Sequence, residues 1–220
     1  MTFLRLLFVA LGLVLPIVES TAQPSPDKRK TEVEPARGAA LHAAPYVEFG
    51  PLIGSVTSTN AKIWVKLSGP APLSLVVGKE DDLSDGVAVK APKLEVTAFY
   101  STHIVVPDLE PAARYYYAIV VDGQMATPRP FPSFKTAPSD NASGRQRFAF
   151  VSCVGYNGFD SAATWADMAT RTNFDVLLML GDNHYGNTTV PARHFEMYGV
   201  QRRLPGYAEI SRRIPQYAVW

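Results

Sequence analysis

Between Ala61 and Thr136 the chain is written in short apolar runs separated by turn residues, and none of them carries a helical period. The runs are Ala61–Leu67 (AKIWVKL), Leu73–Val77 (LSLVV), Phe99–Val106 (FYSTHIVV), Tyr115–Val121 (YYYAIVV) and Phe131–Thr136. Pieces this short, rich in β-branched and aromatic residues, read as strands, and the gaps between them have room only for turns. The fold they predict is an antiparallel β-sandwich over residues 45–137, with Trp64 packed in its core.

Leu109-Glu110-Pro111, followed by Tyr115, has the spacing of a tyrosine corner, in which a tyrosine hydroxyl ties back to upstream backbone. This LxPxxxY pattern resembles a fibronectin type III or related immunoglobulin-like module, a type of domain that carries no chemistry in itself. The pattern changes at Pro138 to Gly144 (PSDNASG), whose composition marks a linker over 138–146. Arg147–Ser152 (RFAFVS) then reads as a strand, and Ser161–Thr170 as a helix with Ala162, Trp165 and Ala169 on one face. Asp175–Leu180 follows as a continuous apolar strand. Strand, helix, strand is a βαβ unit, which implies a parallel sheet buried on both faces. A second helix is expected over 192–203 and a further strand from Gln216 to Trp220, so residues 147–220 open an α/β domain.

The second strand of that unit stops abruptly at Gly181-Asp182-Asn183-His184-Tyr185. In open α/β sheets ligands sit beyond the carboxyl ends of the strands, and Cys153 stands at the end of the first strand as Asp182 does at the end of the second. Neighbouring parallel strands bring the two side by side, and a tight loop can turn the Tyr185 phenol toward the same point. A carboxylate, a thiolate and a phenolate on one spot are all anionic, a cost that a bound cation removes. This donor set suits a ferric ion better than zinc, and the carboxylate could bridge to a harder divalent ion such as calcium. Each residue also has a plain reading: Cys153 in a core, Asp182 as a turn former, Tyr185 as a packed aromatic.

Gly181-Asp182-x-x-Tyr185 after an apolar strand resembles the GDxxY motif of metallophosphoesterases. Ser152-Cys153 at the end of the first strand is similar to the alkaline phosphatase D (PhoD-like) family, and differs from the Asp-x-Gly of purple acid phosphatases. Arg193, Tyr198, Arg202 and Pro205, followed by Ile214-Pro215-Gln216-Tyr217-Ala218-Val219-Trp220, read like that family's approach to a Trp-Asp-Asp-His segment. The resemblance implies an incomplete α/β metallophosphoesterase domain behind the sandwich. It also implies Cys153, Asp182 and Tyr185 as ligands of Fe(3+), with Asp182 bridging to Ca(2+). Because Trp220 stands where Asp-Asp-His would follow, the chain resembles the N-terminal portion of such an enzyme, with an exposed strand edge. Asn183 and His184, inside the motif, are candidates for bracing the loop and for donating to a phosphate oxygen, and Asn157, by position alone, for approaching phosphate. Arg202, Arg203, Arg212 and Arg213 either attract anionic substrates or form a solvated face, and His194 reads as a surface residue.

Residues 1–22 read as a signal peptide: Arg5, an apolar Leu6–Val18, and Ser20-Thr21-Ala22 as the cleavage site, with the cut after Ala22. The apolar stretch falls short of the roughly 20 residues that span a bilayer, so no transmembrane helix is expected after cleavage, and the product is secreted or periplasmic. Residues 23–44, rich in proline, alanine and charge, read as a disordered tether. Cys153 is the single cysteine, which excludes an internal disulfide. The net charge of +1 comes from interspersed charges and gives no electrostatic footprint for nucleic acid. The function expected is therefore hydrolysis of phosphomonoesters or phosphodiesters by an exported metal-dependent phosphatase. The alternatives are a catalytically inactive fragment of such an enzyme and a secreted binding module carried by the sandwich.

Overall fold

The computed structural model describes residues 44–154, 161–171 and 173–219. The signal peptide, the tether up to residue 43, Asn157 and Trp220 lie outside the described residues. Two sheets face each other across a core of alternate residues. β1 (Val47–Gly54), β2 (Ala61–Leu67) and β5 (Ser101–Val106) belong to one sheet. β3 (Leu73–Gly78), β4 (Val87–Lys90), β6 (Arg114–Val121), β7 (Gln124–Met125) and β8 (Ser133–Lys135) make the other. Ile53, Ile63, Val65, Leu75, Ile104, Tyr117, Ile119 and Phe134 fill the space between them and are almost wholly removed from water. Each such side chain contributes about 1.5–3 kcal/mol of burial, which is what makes the alternating pattern decisive. The tyrosine corner is present, with the Glu110 backbone N–H donating to the Tyr115 hydroxyl at 2.9 Å.

Behind the sandwich come β9 (Phe148–Val151), α1 (Ala162–Thr170), β10 (Val176–Leu180), α2 (Pro191–Arg202), α3 (Pro205–Ser211) and β11 (Gln216–Val219). Both α2 and α3 begin with proline in the first turn, where the missing N–H costs nothing. β10 pairs parallel with β9 on one side and with β11 on the other. β11 also meets β1 in parallel through Gly54 and Gln216, so one sheet runs β5-β2-β1-β11-β10-β9 from the sandwich into the second layer. Side chains reinforce that seam: the Tyr217 hydroxyl donates to the Val56 carbonyl at 3.2 Å, and the Tyr117 hydroxyl donates to the Arg212 carbonyl at 2.8 Å.

Two expectations are revised. The parallel strands are covered on one face only. Leu177 and Met179 pack with Trp165, Tyr207 and Ile210 of α1 and α3, while Phe148, Phe150, Leu180, Tyr217 and Val219 point the other way and are exposed. Both crossovers put their helices on the same side, so nothing among the described residues covers the second face. Trp64 is buried, yet it lies outside the sandwich core. It shares the outward phase of β2 with Lys62 and Lys66, and α2 covers it from outside. No helix among the described residues is long and apolar enough to cross a membrane.

Candidate metal centre

Because Met179 is in register with Val151, the two strands end level with each other, and the Cys153 N–H reaches the Gly181 carbonyl at 3.4 Å as a last rung beyond the ladder. Both chains then turn through left-handed backbone: Cys153 has φ 56°, Gly181 φ 107° and Asp182 φ 49°. Gly181 adopts this region freely, and Cys153 and Asp182 share it with other non-glycine turn residues, Asp108 and Asp122 among them. The turn lifts both side chains off the sheet and into solvent.

The structure brings together the three side chains singled out as ligands. The Cys153 Sγ and the Tyr185 Oη both donate to one carboxylate oxygen, Asp182 Oδ2, at 3.6 Å and 3.2 Å. The hydrogen bond to Cys153 first, then partial burial and the charge of Asp182, push the Tyr185 phenol up to about 12. A cation at the point of convergence reverses that logic, stabilising thiolate and phenolate together. Among the described residues no group of three or more His, Cys, Asp and Glu side chains could hold a metal. The donor set here has two such residues, and its third member is a phenol. One carboxylate oxygen, one sulfur and one phenol oxygen turned to a single solvent-facing point are a mixed donor set that could hold a metal cation.

The rest of the loop is fastened to two elements. The Asn183 side-chain amide donates to the Val219 carbonyl at the end of β11 at 2.8 Å, bracing the loop against the third parallel strand. Its Oδ1 and the His184 Nε2 are buried with no hydrogen-bond partner among the described residues. The His184 ring stacks on Tyr198 of α2, with centroids 4.4 Å apart and planes 24° apart. Burial, and then the charges of His194 and Arg202, lower its pKa. His194 is tied to the Thr188 carbonyl, so it belongs to the loop's support.

Sequence reasoning did not find the continuation of that stack. The Arg202 guanidinium sits 5.4 Å from the Tyr198 centroid and 4.3 Å from the Trp64 centroid, joining the loop that carries Asp182 and Tyr185 to the outside of the sandwich through His184, Tyr198, Arg202 and Trp64. Burial lowers the Arg202 pKa. The signal was available: Trp64 lies between Lys62 and Lys66 in a period-two strand, which places it in the solvent phase. Of the other arginines, Arg203 approaches Glu48 at 3.8 Å, and Arg212 and Arg213 both pair with Glu209. They form a paired face.

Residues 44–139 match the model of a family described as a domain of unknown function, DUF7800. Over 83% of its length the chain is similar in fold to the structure of PhoD, with a TM-score of 0.71 and 19% identity. The chain spans 40% of the length of that structure. Looser likenesses cover 47% of the chain for the sensor domain of the anti-sigma factor RsgI4 in Pseudobacteroides cellulosolvens (98% of that chain, 15% identity, TM-score 0.36). They cover 43% of it for a fibronectin type III domain derived from the human KIAA0970 protein (76% of that chain, 14% identity, TM-score 0.29). No curated protein matches the chain.

Proposed function

We propose that the protein is an exported PhoD-like, metal-dependent phosphatase acting on phosphomonoesters or phosphodiesters, with Cys153, Asp182 and Tyr185 as ligands of Fe(3+) and Asp182 as the bridge to Ca(2+). The observation that carries this reading is the convergence of a thiol and a phenol on one oxygen of Asp182, at the carboxyl ends of two adjacent parallel strands. The fold likeness to PhoD over 83% of the chain supports it. Export rests on residues 1–22, read from sequence.

Such a metal pair supplies Lewis-acid charge neutralisation to a phosphoryl group and makes water a better nucleophile. The chain's own residues set the stage for it. Left-handed backbone at Cys153 and Asp182 fixes the two side chains toward one point before any ligand arrives, and such preorganisation lowers the cost of binding. Asn183 holds the loop to β11, so Asp182 cannot drift from the strand ends. His184, whose pKa burial lowers, stacks its ring on Tyr198 and so holds the loop against α2.

The test is iron content and visible absorption of the chain freed of residues 1–22, prepared with ferric iron and calcium. The expected result is bound iron with a phenolate charge-transfer band that Tyr185→Phe removes, together with weaker iron binding in Cys153→Ala and Asp182→Asn. Iron retained with an unchanged spectrum in all three variants would refute the assignment. A second reading, favoured by the chain's 40% span of PhoD, is that these residues bind metal and further protein is needed for turnover. Iron binding without hydrolysis of a phosphomonoester or a phosphodiester is its signature.

A further inference from the structure

A half-open groove of about 550 Å³ runs between the outward face of the sandwich and β11. Its floor is built from Trp64, Leu52 and Val105, and Lys62 and His103 stand on the same outward phase of β2 and β5. Strand register explains the grouping, since Lys62 is opposite Val105, and Trp64 is opposite both His103 and Leu52. Ala218 of β11 also lines the groove. The next residue, Val219, is the one whose carbonyl holds Asn183, so groove and loop share a strand end. The volume is that of a small-molecule site, and its character is apolar and aromatic with a cationic edge: no carboxylate among the described residues lines it. Its aromatic wall is held in place, because the Arg202 guanidinium lies over the Trp64 ring at 4.3 Å.

We propose that this groove binds a flat organic anion, and that it receives the aromatic, negatively charged alcohol portion of an ester whose phosphate is held at Asp182. The second half of this statement rests on the phosphatase reading; the first does not. A planar ring set against Leu52, Val105 and the small uncovered part of Trp64 removes apolar surface from water, while Lys62 at the rim supplies the opposite charge. A neutral aromatic lacks the charge, and a small anion lacks the surface. Both are expected to bind more weakly than a ligand that has the two together.

The test is calorimetric titration of the 220-residue chain with 1-naphthalenesulfonate, which carries ring and charge but no phosphorus, alongside methanesulfonate and 1-naphthalenemethanol. The substitutions are Lys62→Glu, which inverts the charge at an exposed position, and Val105→Trp, which fills the groove from a side chain 48% exposed and leaves the sandwich core untouched. The proposal expects naphthalenesulfonate to bind about tenfold more tightly than either control, and each substitution to weaken it by about tenfold. Equal binding of methanesulfonate, unchanged affinity in Val105→Trp, or no binding of naphthalenesulfonate would overturn it. The two readings fail separately. Sulfonate binding by a chain that takes up no iron although Cys153, Asp182 and Tyr185 are intact removes the phosphatase reading and leaves the groove. Iron binding and hydrolysis without sulfonate binding does the reverse.

Discussion

Replacing Gly199 by alanine tests whether α2 is seated as closely on the sandwich as the structure requires. In an open helix interior this change stabilises by about 0.8–1 kcal/mol, because alanine loses less backbone freedom on folding. Here a Cβ at position 199 would run into the Phe49 ring, with Phe49 Cε1 and Cε2 at 2.9 Å. That ring has nowhere to go. Phe49 is 5% exposed, with Arg203 stacked 4.7 Å and Lys66 5.6 Å from its centroid. Forcing a methyl into such a contact costs about 1–3 kcal/mol, so after the propensity gain the net expectation is a loss of roughly 1 kcal/mol. With a urea m-value of about 2–3 kcal/mol/M for a chain of this size, the midpoint should fall by roughly 0.3–0.5 M with m unchanged. Because α2 also carries Tyr198 and Arg202, its displacement should release His184 from its stack and shift that imidazole's NMR signals, although Gly199 is not in the loop. A variant as stable as the parent, or more so, would refute the close seating of α2.

Tyr115→Phe keeps the ring in place and deletes the acceptor of the Glu110 N–H, a loss expected to cost about 1–2 kcal/mol in urea denaturation; an unchanged midpoint would mean the corner is decorative. His103 is held below its ordinary pKa of 6.5 by burial and then by the charge of Lys62. A depressed folded pKa means that the unfolded chain takes up the proton first. The group's contribution to stability is therefore full above the unfolded value and lost as pH falls from there through the folded pKa. An NMR titration of His103 with a midpoint at or above 6.5 contradicts this, as does a His103→Gln variant whose stability falls with acid as steeply as the parent's.

How far the sequence could be read depended on whether a feature was local. β2 was legible to the residue because Ala61, Ile63, Val65 and Leu67 alternate with Lys62 and Lys66, an alternation that only Trp64 interrupts. β1 was missed because Gly50 and Pro51 stand in its middle: Gly50 has φ 97°, and the pairing with β2 shifts register there, so a strand was hidden behind what reads as a turn. α3 was missed because Pro205-Gly206 opens a helix of only seven residues, too short to show a period. The meeting of Cys153 with Asp182 followed from parallel pairing alone, and Tyr185 from the shortness of the loop. The Arg202 stack, the Asn183 brace and the groove depend on how α2 and β11 lie against the sandwich, and no local pattern encodes that placement. The continuous sheet has the same cause, since the junction of β1 with β11 joins residues 54 and 216.

That junction changes the standing of the segment between β8 and β9. A connection that alone held two modules together would govern how often they meet, and its length would matter to everything built between them. Here hydrogen bonds and packing hold the layers together, and residues 138–146 serve only to close a loop. Loop closure is a logarithmic cost, about 0.6 kcal/mol for each doubling of length. The chain can lengthen there, accept a foreign sequence or drift in composition while the strand ends that carry Cys153 and Asp182 keep their places.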